Sequence, residues 1–255
     1  MRIVVKVGTS TLAHATGRLN IRHVEELVKV LSDLKNAGHE LILVSSGAIG
    51  MGVGKLNLPG RPSDMPTKQA AAAVGQCELM YTYDKLFAQY NHTVAQILLT
   101  GEDIDHEDRR HNFETPMFRL LELGALPVIN ENDTVATAEI KVGDNDTLGG
   151  IVACSVKADL LVLLSDIEGL YTADPRHAPD ARLIPVVEEV TPEIEALAGG
   201  KGSELAVGGM ATKLRAAKMV TAVGCDMIIT NGDKPQCLYD IAEGKEVGTR
   251  FLGKK

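Results

Sequence analysis

Short apolar runs rich in β-branched residues alternate along the chain with longer segments in which apolar positions recur every three or four residues. Most of the short runs are continuously apolar, which is typical of parallel strands that are covered on both faces. They predict strands at residues 3–7, 41–44, 94–99, 126–129, 160–164 and 227–230. The longer segments predict helices at residues 21–37, 69–90, 109–123, 147–157 and 211–223. This alternation predicts an α/β fold, a three-layer αβα sandwich around an open, mostly parallel central sheet.

Two segments depart from this alternation. Residues 135–142 alternate between apolar and polar positions, which predicts an exposed hairpin. Residues 199–213 contain five glycines and predict a long flexible loop. No internal repeat, low-complexity tract or linker divides the sequence, so we expect residues 1–255 to form a single domain.

Composition narrows the classes of partner. The 255 residues carry a formal net charge of -8 and include no Trp, 5 Tyr and 4 Phe. Such a chain lacks both the positive field that attracts phosphate backbones and the aromatic platforms that stack on bases, so no nucleic-acid partner is expected. No stretch approaches the ~18 apolar residues of a membrane span, and the N-terminal apolar run is too short for a signal peptide. We therefore expect a cytoplasmic protein without a membrane partner.

The commonest nucleotide and metal motifs are absent from the sequence. There is no GxGxxG, and the P-loop-like string at residues 248–255 lacks the Ser or Thr that should follow its lysine. His106 and His111 are five positions apart and would not share a helix face as zinc ligands do. The four cysteines, at positions 77, 154, 225 and 237, form no CxxC pair, and we interpret each as a small core residue.

Clusters of glycine, lysine and polar residues follow the predicted strands, where ligands bind in open parallel sheets. Lys6 lies within the first apolar strand, with Gly8 just after it. The lysine either reaches water at the sheet edge or binds an anion that offsets its burial. Ser45, Ser46 and Gly47 follow the second strand. These serines either cap a helix or belong to an anion site at its N-terminus.

Further clusters occur later in the chain. Residues 130–133 (NEND) and 143–147 (GDNDT) carry side chains that suit turns, helix caps or polar ligands. Ser165 and Asp166 end the fifth strand. Residues 208–213 (GGMATK) run into a helix, so their backbone N–H groups and Lys213 could cradle phosphates. Two lysines with glycine N–H groups and aspartates are what phosphoryl transfer needs, namely positioning and charge neutralisation.

Five blocks together resemble the amino acid kinase family, and within it the enzymes that phosphorylate glutamate. The blocks are KVGTS, SSGAIG, PVINENDTVATAEIKVGDND, GLYTADPR and GGMATK, and the resemblance runs from Arg2 to about Leu252. It implies the αβα fold of that family, with the glutamate site mainly in the N-terminal part and the ATP site mainly in the C-terminal part. Many bacterial relatives add a C-terminal PUA domain, an RNA-binding type of module. Because this sequence ends at Lys255, we expect none here.

The resemblance implies roles for individual residues. The implied catalytic residues are Lys6, Lys213, Asp146, Gly8 and Gly47. Asp146 would orient the two lysines, although its place near the start of a predicted helix also suits a helix cap. The implied glutamate-binding residues are Ser46, Asp133, Asp144 and Asn145. The implied nucleotide-binding residues are Lys6, Ser165, Asp166, Val207, Gly208, Gly209, Met210, Ala211, Thr212 and Lys213. No residue is implied as a direct metal ligand.

The implied activity is ATP-dependent phosphorylation of the γ-carboxylate of L-glutamate, the first step of proline biosynthesis. Mg²⁺ would be held mainly by ATP oxygens. Implied partners are proline as a feedback inhibitor, further copies of the chain in a dimer or tetramer, and glutamyl phosphate reductase. The alternatives are a sibling kinase acting on N-acetylglutamate or aspartate, and an inactive regulator that binds a nucleotide or an amino acid. The NEND and GDND strings favour glutamate, and the presence of both lysines favours a catalyst.

Overall fold

The central sheet holds eight strands in the part of the chain that the structure, a computed structural model, describes: residues 1–14, 18–137, 142, 144–198 and 209–254. The strands are β1 Arg2–Val7, β2 Glu40–Ser45, β3 Val94–Leu99, β4 Leu126–Glu131, β5 Leu160–Ser165, β6 Val186–Val187, β7 Asp226–Asn231 and β8 Thr249–Phe251. Their order across the sheet is β3-β4-β2-β1-β5-β7-β8-β6. Pairing is parallel from β3 to β7, and β8 is antiparallel to β7. The prediction of a mostly parallel sheet is confirmed.

Helices lie on both faces of this sheet. The long helices are α2 Ile21–Asn36, α4 Met65–Ala88, α6 Glu107–Glu122, α7 Asn145–Ser155 and α9 Met210–Ala222. The short helices are α1 Thr9–Leu12, α3 Ala48–Lys55, α5 Gly101–Asp105, α8 Pro192–Leu197 and α10 Cys237–Ala242. One core cluster joins α6, α7 and α9 to the sheet, and a second joins α2, α4 and α10 to its other face. Burial of both faces explains the continuously apolar strands, and the αβα sandwich is confirmed.

The six predicted strands and five predicted helices are present, with ends displaced by a few residues. Strands β6 and β8 were not predicted because they are two and three residues long and depend on pairing at the sheet edge. The hairpin prediction is wrong for residues 135–137, which are not in a strand, and residues 138–141 lie outside the described part. Residues 199–208 of the predicted loop also lie outside it.

The cysteines and the helices of the described residues bear on two smaller expectations. Cys77 is exposed rather than a core residue because it lies on the solvent face of α4, whereas Cys225 is buried. Among the helices that the structure describes, none has the length and apolar character needed to cross a membrane.

Helices α3 and α4 approach each other at backbone distance. A Cβ added at Gly75 of α4 would lie 1.7 Å from the backbone oxygen of Ala48, and one added at Gly52 of α3 would lie 1.8 Å from the backbone oxygen of Ala71. Only glycine fits at these two positions, because any side chain would overlap the neighbouring backbone. This contact fixes the first turn of α3, which begins directly after Gly47, against α4.

Candidate active site

The carboxyl ends of the central strands meet at one edge of the sheet. Val7 at the end of β1 lies opposite Ser45 of β2 and Leu164 of β5. The loops that leave these strands lead into α1 and α3, and the N-terminus of α7 reaches the same edge, where Asn145 contacts Ser45 and Ser46. Residues from distant parts of the sequence are therefore brought together where a parallel sheet binds its ligands.

An ion triad of Lys6, Asp146 and Lys213 lies at the centre of this edge. The Nζ of Lys6 is 2.6 Å from Oδ1 of Asp146, and the Nζ of Lys213 is 2.9 Å from Oδ2. All three residues are buried, with 8, 5 and 5% of their surface exposed, respectively. They come from β1, α7 and α9. One carboxylate thus holds two ammonium groups that would otherwise repel each other in a poorly hydrated setting.

The electrostatics of the triad keep the carboxylate ionised. Burial alone would raise the pKa of Asp146, but the charges of Lys6 and Lys213 outweigh this effect, and the pKa lies below its ordinary value. Thr212 adds a hydroxyl that lies 2.9 Å from Oδ2 of Asp146 and donates to it. Asp146 is therefore a charged anchor at neutral pH.

The two oxygens of Asp146 differ in their contacts. Oδ2 accepts hydrogen bonds from Thr212 and Lys213. Oδ1 forms the close ion pair with the Lys6 ammonium, which helps to keep the pKa of the carboxylate below its ordinary value. Each oxygen of the carboxylate thus holds one lysine ammonium group.

Asp144, and not Asp146, caps α7. The carboxylate of Asp144 accepts hydrogen bonds from the Thr147 backbone N–H at 2.7 Å and from the Thr147 hydroxyl at 2.8 Å. Asp146 lies within the first turn and directs its side chain to the lysines. Of the two interpretations of Asp146 from the sequence, the helix cap is wrong.

A second cluster lies beside the triad, at the ends of β2 and β4. Nδ2 of Asn145 lies 2.7 Å from Oγ of Ser46, 3.0 Å from Oδ1 of Asn130 and 3.2 Å from the backbone oxygen of Ser45, and donates to this group of acceptors. Ser46 therefore binds Asn145 and does not cap α3, whose N-cap is Gly47. Asp133 lies half-buried in the turn that follows β4.

Three of the predicted glycines begin helices at this edge. Gly8 is the N-cap of α1, Gly47 the N-cap of α3 and Gly209 the N-cap of α9. Gly47 and Gly209 have backbone φ angles of 103° and 110°, which residues other than glycine rarely adopt. Such helix starts present backbone N–H groups suited to anions.

Within the described part of the chain, the predicted nucleotide-binding residues other than Lys6 form two groups, one at the start of α9 and a second at the end of β5. Gly209, Met210, Ala211, Thr212 and Lys213 form the start of α9, next to Asp146. Ser165 ends β5 and donates a hydrogen bond to the exposed Asp166. Val207 and Gly208 lie outside the described residues, so their assignment stays a prediction.

A cavity of about 370 Å³ lies near Ser165, although neither Ser165 nor Asp166 lines it. It opens beyond the carboxyl end of β7, where Asn231 pairs in register with Ser165. It is lined by Glu168, Leu183, Thr230, Asn231, Asp233, Lys234, Cys237 and Gly248. Sequence reasoning did not select these residues, although the polar run TNGDK directly after an apolar strand was a usable signal.

Comparison with known proteins gives the family. The model of the amino acid kinase family matches residues 1–231 of the chain. The chain belongs to the amino acid kinase family. The match includes the ion triad, the Ser46–Asn145 cluster and the end of β7.

Relatives within the amino acid kinase family cover the whole sequence. A protein of Clostridium tetani named glutamate 5-kinase is 56% identical over 249 residues, which are 98% of this chain and 93% of the relative. One of Listeria innocua with the same name is 52% identical over 258 residues, covering 100% of this chain and 94% of the relative. The solved structure of a carbamate kinase from Giardia lamblia bound to AMP-PNP matches 99% of this chain and 98% of its own with a TM-score of 0.73. Since it is 19% identical, it shows the amino acid kinase fold alone.

Gln76 is a buried residue of this site that sequence reasoning missed. It lies on α4 with 7% of its surface exposed and is hydrogen-bonded to Asn130. The signal in the sequence was a glutamine among Ala72, Gly75 and Leu79, on the face of α4 that is otherwise apolar. A buried amide needs hydrogen-bond partners, and here they belong to the site.

Proposed function

We propose that the protein transfers the γ-phosphoryl group of ATP to the γ-carboxylate of L-glutamate, giving γ-glutamyl phosphate and ADP. The observation that carries this proposal is the carboxylate of Asp146 held between two buried lysines at the carboxyl edge of the sheet. The relatives named glutamate 5-kinase, at 56 and 52% identity over nearly the full chain, support the choice of substrate.

The reaction requires positioning and charge neutralisation. An oxygen of the γ-carboxylate attacks the γ-phosphorus in line, an O–P bond forms, and the bond to the β-phosphate oxygen breaks to release ADP. No general base is required, because the attacking carboxylate is already ionised at pH 7. Lys6 and Lys213 contact the transferring group and neutralise charge that moves toward the leaving oxygen. Asp146 holds both ammonium groups in place before the substrates bind.

The remaining residues bind the two substrates. Ser46, Asp133 and Asn145 hold glutamate, with Asp144 supporting the loop as the cap of α7. The backbone N–H groups at Gly8 and Gly47 face the phosphoryl group, and the start of α9 from Gly209 to Lys213 covers the ATP phosphates. The nucleoside occupies the cavity beyond β7 and extends toward Ser165 and Asp166 at the end of the neighbouring β5. Each of these roles is part of the proposal.

Mg²⁺ fits this site as an ion carried by the nucleotide. No group of three or more His, Cys, Asp or Glu side chains in the described part of the chain is arranged to hold a metal ion. Both oxygens of Asp146 face lysine ammonium groups, so this carboxylate is not arranged as a direct ligand. Mg²⁺ would be held mainly by ATP oxygens and would supply further neutralisation of charge during the transfer.

The partners and location form part of the same proposal. Further copies of the chain associate in a dimer or tetramer, and glutamyl phosphate reductase consumes the product, an acyl phosphate that reacts with water and amines. A cytoplasmic location follows from the proposed use of ATP and glutamate.

The preference for L-glutamate over N-acetyl-L-glutamate and L-aspartate can be tested with the purified protein. We expect ADP formation with L-glutamate and much slower formation with N-acetyl-L-glutamate or L-aspartate. The free α-amino group of γ-glutamyl phosphate attacks its own acyl carbon, releasing phosphate and giving 5-oxoproline, whereas an acetylated amine does not react in this way. Detection of 5-oxoproline by mass spectrometry, together with ADP release, checks the prediction. Equal or faster turnover of N-acetylglutamate would assign the chain to a sibling activity.

Proline should inhibit the reaction in competition with glutamate. Both amino acids carry the α-amino and α-carboxylate groups that Asp133 and Asn145 are proposed to bind, so one pocket serves for both. Initial rates at several proline concentrations should therefore show an inhibition that disappears as glutamate is raised. Inhibition that stays constant at saturating glutamate would place proline at a separate site.

A further inference from the structure

Four side-chain amides form a continuous hydrogen-bonded chain from the proposed glutamate site, through α4, to the edge strand β3. Nδ2 of Asn145 donates to Oδ1 of Asn130 at 3.0 Å. Nδ2 of Asn130 donates to Oε1 of Gln76 at 3.0 Å, and Nε2 of Gln76 donates to Oε1 of Gln96 at 3.0 Å. We call these four residues the amide relay. They come from α7, β4, α4 and β3, so the relay connects elements that are far apart in the sequence.

The direction of the relay is fixed by backbone groups. The backbone N–H of Glu131 donates to Oδ1 of Asn130 at 2.9 Å, which prevents this amide from turning its NH₂ group toward Asn145. The backbone oxygen of Ser45 accepts from Nδ2 of Asn145 at 3.2 Å. A backbone N–H can only donate and a carbonyl oxygen can only accept, so both asparagines have one allowed orientation.

Gln76 completes this arrangement inside the protein. Asn130 is 2% exposed and Gln76 7% exposed, so solvent does not replace a lost partner. The NH₂ group of Asn130 faces α4 and finds its acceptor in Oε1 of Gln76. Without that acceptor the NH₂ group of Asn130 would be a buried, unpaired donor, and Asn130 would have to shift from its position beside Asn145 to find another acceptor.

The relay also determines which way the side-chain amide of Asn145 is oriented. Its NH₂ group is committed to Ser45, Ser46 and Asn130. Its carbonyl oxygen therefore points away from these acceptors, and in the described part of the chain no donor is hydrogen-bonded to it. A ligand group that meets this oxygen must be a hydrogen-bond donor.

We propose that Gln76 is a positioning residue that, through Asn130, holds the carbonyl oxygen of Asn145 toward the α-ammonium group of the substrate. This inference rests on the proposed function for the identity of the substrate. On this proposal, the relay allows the site to distinguish glutamate from glutarate, a dicarboxylate of equal length that lacks the amino group. Gln76 itself does not touch the substrate.

The test compares two variants of Gln76 in their binding of L-glutamate and glutarate, measured by calorimetry without ATP. Gln76→Leu removes the acceptor for Asn130, and we expect glutamate to bind about 10-fold more weakly, the effect of losing a hydrogen bond to a charged group. Glutarate, which has no ammonium group, should bind as before. Gln76→Glu keeps an acceptor toward Asn130, while the exposed Gln96 can rotate to donate, so glutamate affinity should stay within about 2-fold of the parent.

Each result supports or overturns the inference. If Gln76 has only a general structural role, Gln76→Leu should weaken the binding of glutamate and of glutarate to the same extent, and that result would exclude a positioning role. An unchanged glutamate affinity in Gln76→Leu would exclude it as well. Equal losses in the Leu and Glu variants would exclude the acceptor as the cause. The proposed function is tested separately by glutamate-dependent ADP release from the parent protein. If the variants bind glutamate as expected but the parent shows no turnover, the proposed function is contradicted and the relay is supported. If the parent turns over glutamate but Gln76→Leu binds it as tightly as the parent does, the relay alone is contradicted.

Discussion

Replacement of Asp146 by asparagine should lower kcat by on the order of 10²-fold or more, because the variant keeps the size of the side chain and loses its charge. In the parent, the carboxylate lies 2.6 Å from the Lys6 ammonium and 2.9 Å from that of Lys213. An asparagine amide accepts a hydrogen bond from one of them and cannot offset the repulsion between the two. The lysines would then have to be aligned anew in each catalytic cycle. Steady-state kinetics at saturating ATP and glutamate measure the effect.

The same substitution should also lower the melting temperature, since two buried ammonium groups lose their counter-charge. For this reason kcat must be measured well below the melting temperature of the variant. The matched control is Asp174→Asn, which removes a partly exposed carboxylate that pairs with the exposed Arg176. It should change neither kcat nor stability appreciably. A kcat of Asp146→Asn within a few-fold of the parent would exclude the proposed role of Asp146.

The sheet was predictable because five of its six long strands are buried on both faces, β3 being the exception. The predicted runs in β2, β4 and β5 are apolar without interruption, those in β1 and β7 carry one polar residue each, Lys6 and Thr230, and each run becomes a row of buried residues. Strand β8 was not predicted, because it has three residues and one of them is the charged Arg250. Its pairing partner β7 is also more than fifteen positions away in the sequence. Short strands of this kind form only because an existing sheet edge supplies their hydrogen bonds.

The site was predictable in its location and not in its contacts. Polar clusters after strands indicated the correct edge of the sheet, because topology brings all parallel strand ends together. The choice of Asp146, rather than Asp133 or Asp144, as the partner of the lysines came from the family resemblance. Helix periodicity alone could not separate a cap at Asp144 from an anchor at Asp146, since the two carboxylates are two positions apart at one helix terminus.

The amide relay shows what local patterns cannot express. Whether a glutamine on an apolar face is a tolerated defect or part of a network depends on residues from three other elements. The chain order of Gln76, Gln96, Asn130 and Asn145 contains no spacing that would reveal the contact. Once the fold is known, burial and hydrogen-bond satisfaction identify these residues without further information.

Helix α4 supports the proposed glutamate site in a second way, through its backbone contact with α3. A Cβ at Gly75 would lie 1.7 Å from the backbone oxygen of Ala48 and 2.5 Å from the backbone nitrogen of Gly52. Both atoms belong to the backbone, so no rotamer change relieves the overlap. The two helices would have to separate, and since α3 begins directly after Gly47, the loop with Ser46 would move with it.

Gly75→Ala should therefore destabilise the protein by about 3 kcal/mol, a large share of the stability of a typical domain, and weaken glutamate binding in the fraction that remains folded. Helix propensity alone predicts the opposite sign, because alanine favours a helix over glycine by up to about 1 kcal/mol. Gly50→Ala is the matched control within α3, since its Cβ would meet only the Thr9 side chain at 3.5 Å, an ordinary contact. Denaturant unfolding of both variants measures the difference. If Gly75→Ala were as stable as the parent, the close approach of α3 and α4 would be wrong.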